Sequence, residues 1–311
     1  MAIREFKTQS REEWLALRHK YIGGSDAAAV VGLNPFCSAY ALWAEKTGRA
    51  EPFAGNLATE VGTWLEDFVA RKFEAETGER VRRNNRSLVN DLYPWAIANI
   101  DREVVGEDAG LEIKTTSELS LKSFKNGDYP GRFYAQCLHY LAVTGKKKWY
   151  LAVLIGNRDF RTYEIERDEE EIRLLMNAEK EFYGLITADT PPAPDGSPSS
   201  TSALTQLYGS KTADLPEVDL SDVRSALLGY ASVSAKIGAL TKEKDEYSNI
   251  IKAKLGEATD GKTDGFSVSW RTTTRKSFDE KAFRADHPEI ELGKYYKQTV
   301  SRTFRLTEKE D

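Results

Sequence analysis

WAIANIDREVVGEDAGLEIKTT, residues 95–116, decides how the rest of the chain is read. Ala96, Ile97, Ile100, Val104 and Val105 make a β-rich run, and residues Gly106 to Gly110 supply the turn that ends it. Leu111, Ile113 and Thr115 then alternate with Glu112, Lys114 and Thr116, the period-two pattern of a strand with two unlike faces. Glu112 and Lys114 therefore share a face. Asp101 lies eleven positions before Glu112, near the middle of the first run, and a hairpin of this length brings it opposite the pair. Two carboxylates and an ammonium at one spot suit Mg²⁺, a hard ion that binds through one or two carboxylates and keeps sites for water and phosphate. A lysine beside such an ion orients or helps deprotonate an attacking water. On a solvated sheet face the same residues would carry no chemistry. A second Glu-x-Lys, Glu5-Phe6-Lys7, has no strand pattern and no upstream Asp around it.

Outward from the hairpin the chain reads as alternating helices and strands. Arg11 to Tyr21 is an amphipathic helix with Ser10 as N-cap. It runs into IGGSDAAAVVGLNPF, where Gly23 and Gly24 break the helix and Ser25 or Asp26 caps the next. Such a loop offers backbone N–H groups to an anion, and Arg18 adds a bidentate phosphate contact; an ordinary capped helix–turn–helix explains the same residues. Ser38 to Gly48 is a short helix. Leu57 to Thr77 is a longer one, in which Glu66 shares a face with Gly62, Val69, Ala70 and Phe73 by helical spacing. Glu66 is either turned inward or an edge residue satisfied by a nearby Arg. Past the hairpin come a short helix and loop over Ser117–Asp128 and a helix over Gly131–Thr144, with Gln136 and Tyr140 on one side. A second hairpin over Lys148–Ile165 and a helix over Asp168–Thr187 follow.

Composition bounds the answer. The chain has 311 residues, 40% of them apolar and 30% charged, enough for one substantial domain and a smaller one in a soluble protein. No apolar run approaches membrane-spanning length and MAIREFKTQSREEW has no signal-peptide core, so a cytoplasmic location and no membrane partner are expected. Cys37 and Cys137 lack partners at metal-ligand spacing, and three scattered His argue against zinc. A net charge of −5 weighs against a nucleic-acid protein, but the balance is uneven. Arg71, Lys72, Arg80, Arg82, Arg83 and Arg86 precede the hairpin and Lys146–Lys148 follow it, whereas Asp168–Glu171 and Glu308–Asp311 are acidic.

Asp101, Glu112, Ile113 and Lys114 match the D…(D/E)-x-K core of the PD-(D/E)XK nucleases, and their flanks resemble the phage-type alkaline exonucleases, the lambda-exonuclease-like or YqaJ-type viral recombinases. The resemblance covers residues 11 to 192. It rests on the hairpin and three further motifs: Trp14, Arg18, Ile22, Gly23, Ser25 and Asp26; Gly62 and Glu66; Gln136 and Tyr140. It implies an α/β (α+β) restriction-endonuclease-like core, a central mixed sheet flanked by helices. It also implies Mg²⁺, with Mn²⁺ able to substitute, held by Asp101, Glu112, the Ile113 carbonyl and Glu66. Lys114 would orient the water and Gln136 would reach the site, while Arg18 and Ser25 would hold the 5′-phosphate of a double-stranded DNA end. A ring-shaped homotrimer and a single-strand annealing protein as partner are likewise implied. The cysteines argue against the iron–sulfur branch of the superfamily. The activity implied is 5′→3′ digestion of linear duplex DNA in phage-type recombination. A restriction- or repair-type endonuclease and a non-catalytic DNA- or partner-binding protein are the alternatives.

TPPAPDGSPSSTS, residues 190–202, reads as a linker, giving an exonuclease domain over 1–192, a linker over 193–216 and an accessory module over 217–311. In that module Val223, Leu227, Tyr230, Val233, Ile237, Leu240, Tyr247, Ile251 and Leu255 predict a long helix or helical hairpin within Asp219–Glu257. Gly261–Arg275 reads as a strand, Phe278–Arg284 as a short helix and Val300–Leu306 as a last strand. No catalytic constellation is present there.

Overall fold

The structure, a computed structural model, describes residues 2–209, 217–297 and 301–307. From the N-terminus it runs through β1 (Ile3–Phe6), α1 (Arg11–His19), β2 (Ile22–Gly23), α2 (Gly24–Val30), α3 (Ala39–Lys46) and α4 (Leu57–Thr77). Five short strands follow: β3 (Val81–Arg83), β4 (Ser87–Asn90), β5 (Ala96–Asn99), β6 (Arg102–Val104) and β7 (Ala109–Thr116). After a 3-10 segment at Glu118–Gly127 come α5 (Gly131–Thr144), β8 (Lys148–Ile155), β9 (Asp159–Glu166), α6 (Glu169–Thr187) and α7 (Pro198–Tyr208). These elements form one unit, Met1–Gly209. The second unit, Ser210–Asp311, holds α8 (Arg224–Leu255), the hairpin β10 (Asp260–Thr263) and β11 (Phe266–Ser269), and α9 (Glu280–Asp286).

The decisive stretch is not one hairpin. Its first half is cut at Ile100–Asp101, so that β5 and β6 lie in different sheets. One sheet has the order β1-β4-β5-β2 and the other β3-β6-β7-β8-β9. The break has a physical cause in Arg102. Its buried guanidinium donates to the Asp101 carbonyl at 2.7 Å and pairs with Glu66 and Asp67 of α4, which draws the chain out of the first sheet. In the second sheet only β7 and β8 run parallel, and their connection carries α5.

Both faces of the second sheet are covered. Leu111 and Ile113 pack with Val69, Ala70 and Phe73 of α4. The opposite face, bearing Glu112 and Lys114, meets α5, whose Phe133, Leu138 and Leu141 share a core with Trp149, Leu151 and Val153 of β8. Gly110 lies under the Trp149 ring, and a Cβ there would stand 2.3 Å from the indole, so no larger residue fits without displacing it.

Several expectations are corrected. The residues read as linker include α7, which buries Ser200 and Ala203; Ser200 Oγ donates to Ser38 Oγ at 2.9 Å, and the Ser38 N–H donates to Ser199 Oγ at 3.0 Å. Composition hid this helix because Ser197 caps it and Pro198 occupies its first turn, where proline costs nothing. Neither Ser25 nor Asp26 caps α2. Gly23 holds that position, and Asp26 reaches back from the third residue to accept its N–H at 3.0 Å. Glu5-Phe6 does lie on a strand, β1, paired with β4 at a sheet edge. The long apolar pattern is a single 32-residue helix, α8, and the strand expected over Gly261–Arg275 is a hairpin. No strand forms over residues 301–306, and Val300 lies outside the described residues.

Candidate active site

Asp101 sits on the break between the sheets. Arg102 faces Leu111 and Glu103 faces Gly110, so continuing that register sets Asp101 beside Glu112. Its Oδ2 accepts the Ile113 N–H at 2.7 Å, a carboxylate doing what a strand carbonyl would do further along the ladder. Glu112 is 2% exposed. One of its oxygens accepts from Lys114 Nζ at 2.5 Å; the other, Oε2, is buried with no hydrogen-bond partner. An unpaired buried carboxylate oxygen is costly, and such orphans mark places where an ion or water completes the structure.

The electrostatics agree. Burial pushes the Asp101 carboxyl well above its usual range, and the charge of Glu112 adds to it against the pull of Lys114. Burial also raises Glu112, with Lys114 opposing. Burial alone would lower Lys114, but the charges of Glu112 and Asp101 outweigh it and hold its ammonium above the ordinary lysine value. Two carboxylates that resist sharing a site are what a divalent cation relieves. Among the described residues no three His, Cys, Asp or Glu side chains group as a metal cage. Two carboxylates and a main-chain carbonyl nonetheless fit Mg²⁺, which keeps several waters of its own.

Helix α5 brings Gln136 to this face. It is buried, and its Nε2 donates to Tyr140 Oη at 2.9 Å. Tyr140 and Cys137 feel the cluster too: burial first, and then Glu112 and Asp101, push both well above their usual values. Glu66 approaches from α4. Its charge raises both Asp101 and Glu112, yet its carboxylate is engaged by Arg102. The Arg-satisfied reading of Glu66 therefore describes its hydrogen bonding, while its charge still reaches the cluster.

Arg18 and Ser25 meet each other at the junction of α1, β2 and α2. The Arg18 guanidinium donates to Ser25 Oγ at 2.6 Å and lies over the Trp14 ring. Tyr140 connects this junction to the carboxylates, because a Cβ on Gly24 would stand 2.5 Å from its ring. The structure thus groups Asp101, Glu112 and Lys114, sets Tyr140 within reach of their charge, and holds Gln136 on Tyr140. It pairs Arg18 with Ser25 and ties Glu66 to the group through Arg102. Arg102 and Tyr140 were not among the expected site residues. The signal for Tyr140 was present in its spacing from Gln136, and Arg102 is adjacent to Asp101, though nothing in the sequence marks it as buried. No helix among the described residues is long and apolar enough to cross a membrane.

Comparison with known proteins adds to the geometry. The profile of the YqaJ-like viral recombinase domain matches residues 13–147. The Uncharacterized protein YqaJ of Bacillus subtilis (strain 168) is 36% identical over 304 residues, covering 96% of this chain and 95% of that protein. Protein D345L of African swine fever virus (isolate Tick/South Africa/Pretoriuskop Pr4/1996) is 43% identical over 58 residues, 19% of this chain and 17% of that protein. Among solved structures, that of LHK-Exo in complex with dAMP superposes with a TM-score of 0.50 at 22% identity, over 57% of this chain and 93% of that one. LHK-Exo is described as an alkaline exonuclease from Laribacter hongkongensis. The shared fold is that of the restriction-endonuclease-like core.

Proposed function

The chain belongs to the YqaJ-like viral recombinase family, and from that premise we propose that it is a metal-dependent deoxyribonuclease. It hydrolyses phosphodiester bonds of linear duplex DNA from the 5′ end, in phage-type recombination. The observation that carries this reading is the buried Asp101–Glu112–Lys114 cluster with its unpaired Glu112 oxygen. Asp101, Glu112 and the Ile113 carbonyl would hold Mg²⁺, or Mn²⁺ in its place, with Glu66 completing the oxygen set from α4. A bound Mg²⁺ supplies charge neutralisation at the phosphodiester and lowers the pKa of the attacking water. Lys114, its proton held at Nζ by two carboxylates, orients that water and balances charge developing on the phosphoryl oxygens. Gln136, fixed by Tyr140, lines the same face and excludes bulk water. Arg18 and Ser25 bind the terminal 5′-phosphate, the guanidinium supplying a fork of donors.

One digestion experiment separates this reading from its rivals. Linear and covalently closed circular duplexes are incubated with the protein and Mg²⁺. Degradation of the linear form alone is expected. Cutting of both forms would make the protein an endonuclease, and turnover of neither would leave a DNA- or partner-binding protein.

A further inference from the structure

Beneath Arg18 lies a buried ion pair for which hydrolysis has no direct use. Lys46, the last residue of α3, has a side chain only 3% exposed, and all three of its ammonium protons are committed. They go to the Arg18 carbonyl at 3.0 Å, the Tyr21 carbonyl at 2.8 Å and Asp26 Oδ2 at 2.7 Å. Asp26 Oδ2 also accepts the Gly23 N–H, and Asp26 Oδ1 lies 3.7 Å from the guanidinium that holds Ser25 Oγ. One ammonium therefore ties down the end of α1, and one carboxylate ties down the start of α2 and faces the Arg18 head group.

We infer that Lys46 and Asp26 are positioning residues that set Arg18 and Ser25 for the terminal phosphate of a DNA end, an inference that rests on the phosphate-binding reading of that pair. Two features favour placement over mere cohesion. Burying a charge pair is a poor way to add stability, because desolvation offsets most of the attraction. The hydrogen bonds and ion pairs of the two side chains also fall within Arg18–Asp26, the segment carrying both phosphate-binding side chains. Without Lys46, Asp26 would compete with the phosphate for Arg18, since it would be the nearest anion left without another cation. With Lys46 in place the carboxylate is neutralised from below, and the guanidinium keeps its remaining donors for an incoming anion.

The test uses full-length protein, Mg²⁺ and two linear duplexes that differ only in a 5′-phosphate or a 5′-hydroxyl. The variants are Lys46→Met, Asp26→Asn and the two combined, with Arg18→Ala as reference. Lys46→Met should lower the phosphate-to-hydroxyl rate ratio by about ten-fold or more, the cost of a misplaced charge-assisted hydrogen bond. The loss should appear in KM for the phosphorylated end, with kcat on the hydroxyl end little changed. A merely structural role would slow both ends equally and leave the ratio intact, which overturns the inference. Should Lys46→Met not fold, the combined variant, which also removes the competing carboxylate but still cuts the ties to the Arg18 and Tyr21 carbonyls, should lower the ratio through misplacement of Arg18, and an intact ratio there overturns the inference. A wild-type ratio of one would overturn the phosphate reading and this inference with it. A wild-type preference erased by Arg18→Ala but kept in all three brace variants would overturn the brace alone.

Discussion

Asp26, Lys46, Arg102, Glu112, His139 and Glu179 are all buried within Met1–Gly209, each in an ion pair, whereas no described residue of the second unit is buried at all. In the second unit α8 instead exposes Tyr230, Val233, Ile237, Leu240, Tyr247 and Ile251 at heptad-like spacing. The contrast is between two uses of sequence. Charge removed from water acts strongly on whatever enters, because no solvent screens it, and only a two-layer core can hold it there. Apolar side chains left in water on one helix bring no reactive group to that surface. On the proposed reading the reaction belongs to the first unit, which holds the Asp101–Glu112–Lys114 cluster.

The strongest way to break the contrast is at the cluster itself. Lys114→Ala should lower hydrolysis by at least ~10²-fold while Mg²⁺ and DNA still bind, since the ammonium acts on the transition state. Asp101→Ala and Glu112→Ala should weaken Mg²⁺ binding as well, which titration calorimetry reads. Normal turnover by Lys114→Ala would move the active site elsewhere. Next in size is the 5′-phosphate preference: Arg18→Ala should reduce it by about ten-fold or more through loss of a charged hydrogen bond. Equal wild-type rates on phosphorylated and hydroxyl ends would leave Arg18 and Ser25 as plain structural residues.

Much of this was legible in residues 95–116 because period-two alternation fixes which side chains share a face, whatever the sheet order. Glu112 and Lys114 follow from it directly. The break at Asp101 did not, because Ile100, Val104 and Val105 continue a β-rich run across it. What cuts the strand is the tertiary pull of Glu66 and Asp67 on Arg102. Helix α4 was legible to its ends, since Leu57–Thr77 shows unbroken helical spacing. Helix α7 was lost in a Pro/Ser-rich stretch, where cap chemistry and linker composition use the same residues. Lys46 had no local signal. Its burial is decided by Arg18, Tyr21 and Asp26, which come together only in the fold.

A smaller effect should appear in stability against pH. His139 donates through Nε2 to the Ile97 carbonyl at 3.0 Å, and its Nδ1 meets Glu179 Oε1 at 2.7 Å, both side chains fully buried. Burial would lower His139, but the charge and hydrogen bond of Glu179 raise it above its usual value. Burial raises Glu179 despite the pull of His139, and Asp26 adds to both shifts. Folded values above the unfolded ones mean stabilisation that is fully present at low pH and lost as pH climbs through the raised values. Denaturation midpoints taken from about pH 6 upward should therefore fall more steeply for the wild type than for Glu179→Gln. The amide in that variant can donate to a neutral imidazole and leaves nothing to titrate against. Parallel curves would show that the pair does not exchange a proton in this range.

The smallest expected effect is the one that sharpens the contrast most. Ending the chain after Gly209 removes the whole second unit and none of the buried charges, so hydrolysis of linear duplex should be unchanged. Ending it at Pro192 is a different experiment. That cut also removes α7, whose Ser199 and Ser200 bond to Ser38 at the head of α3, the helix that ends in Lys46. The shorter piece should therefore melt earlier and lose some 5′-phosphate preference, while the Asp101–Glu112–Lys114 cluster, built on β7 and the break before β6, persists. Thermal denaturation and the end-preference assay on both pieces read the difference. A 1–209 piece that folds and binds Mg²⁺ yet cannot cut any DNA would mean that the second unit completes the site, and the division of labour drawn from burial would be wrong. Equal behaviour of the two pieces would instead show that α7 contributes nothing to holding α3, and with it Lys46, in place.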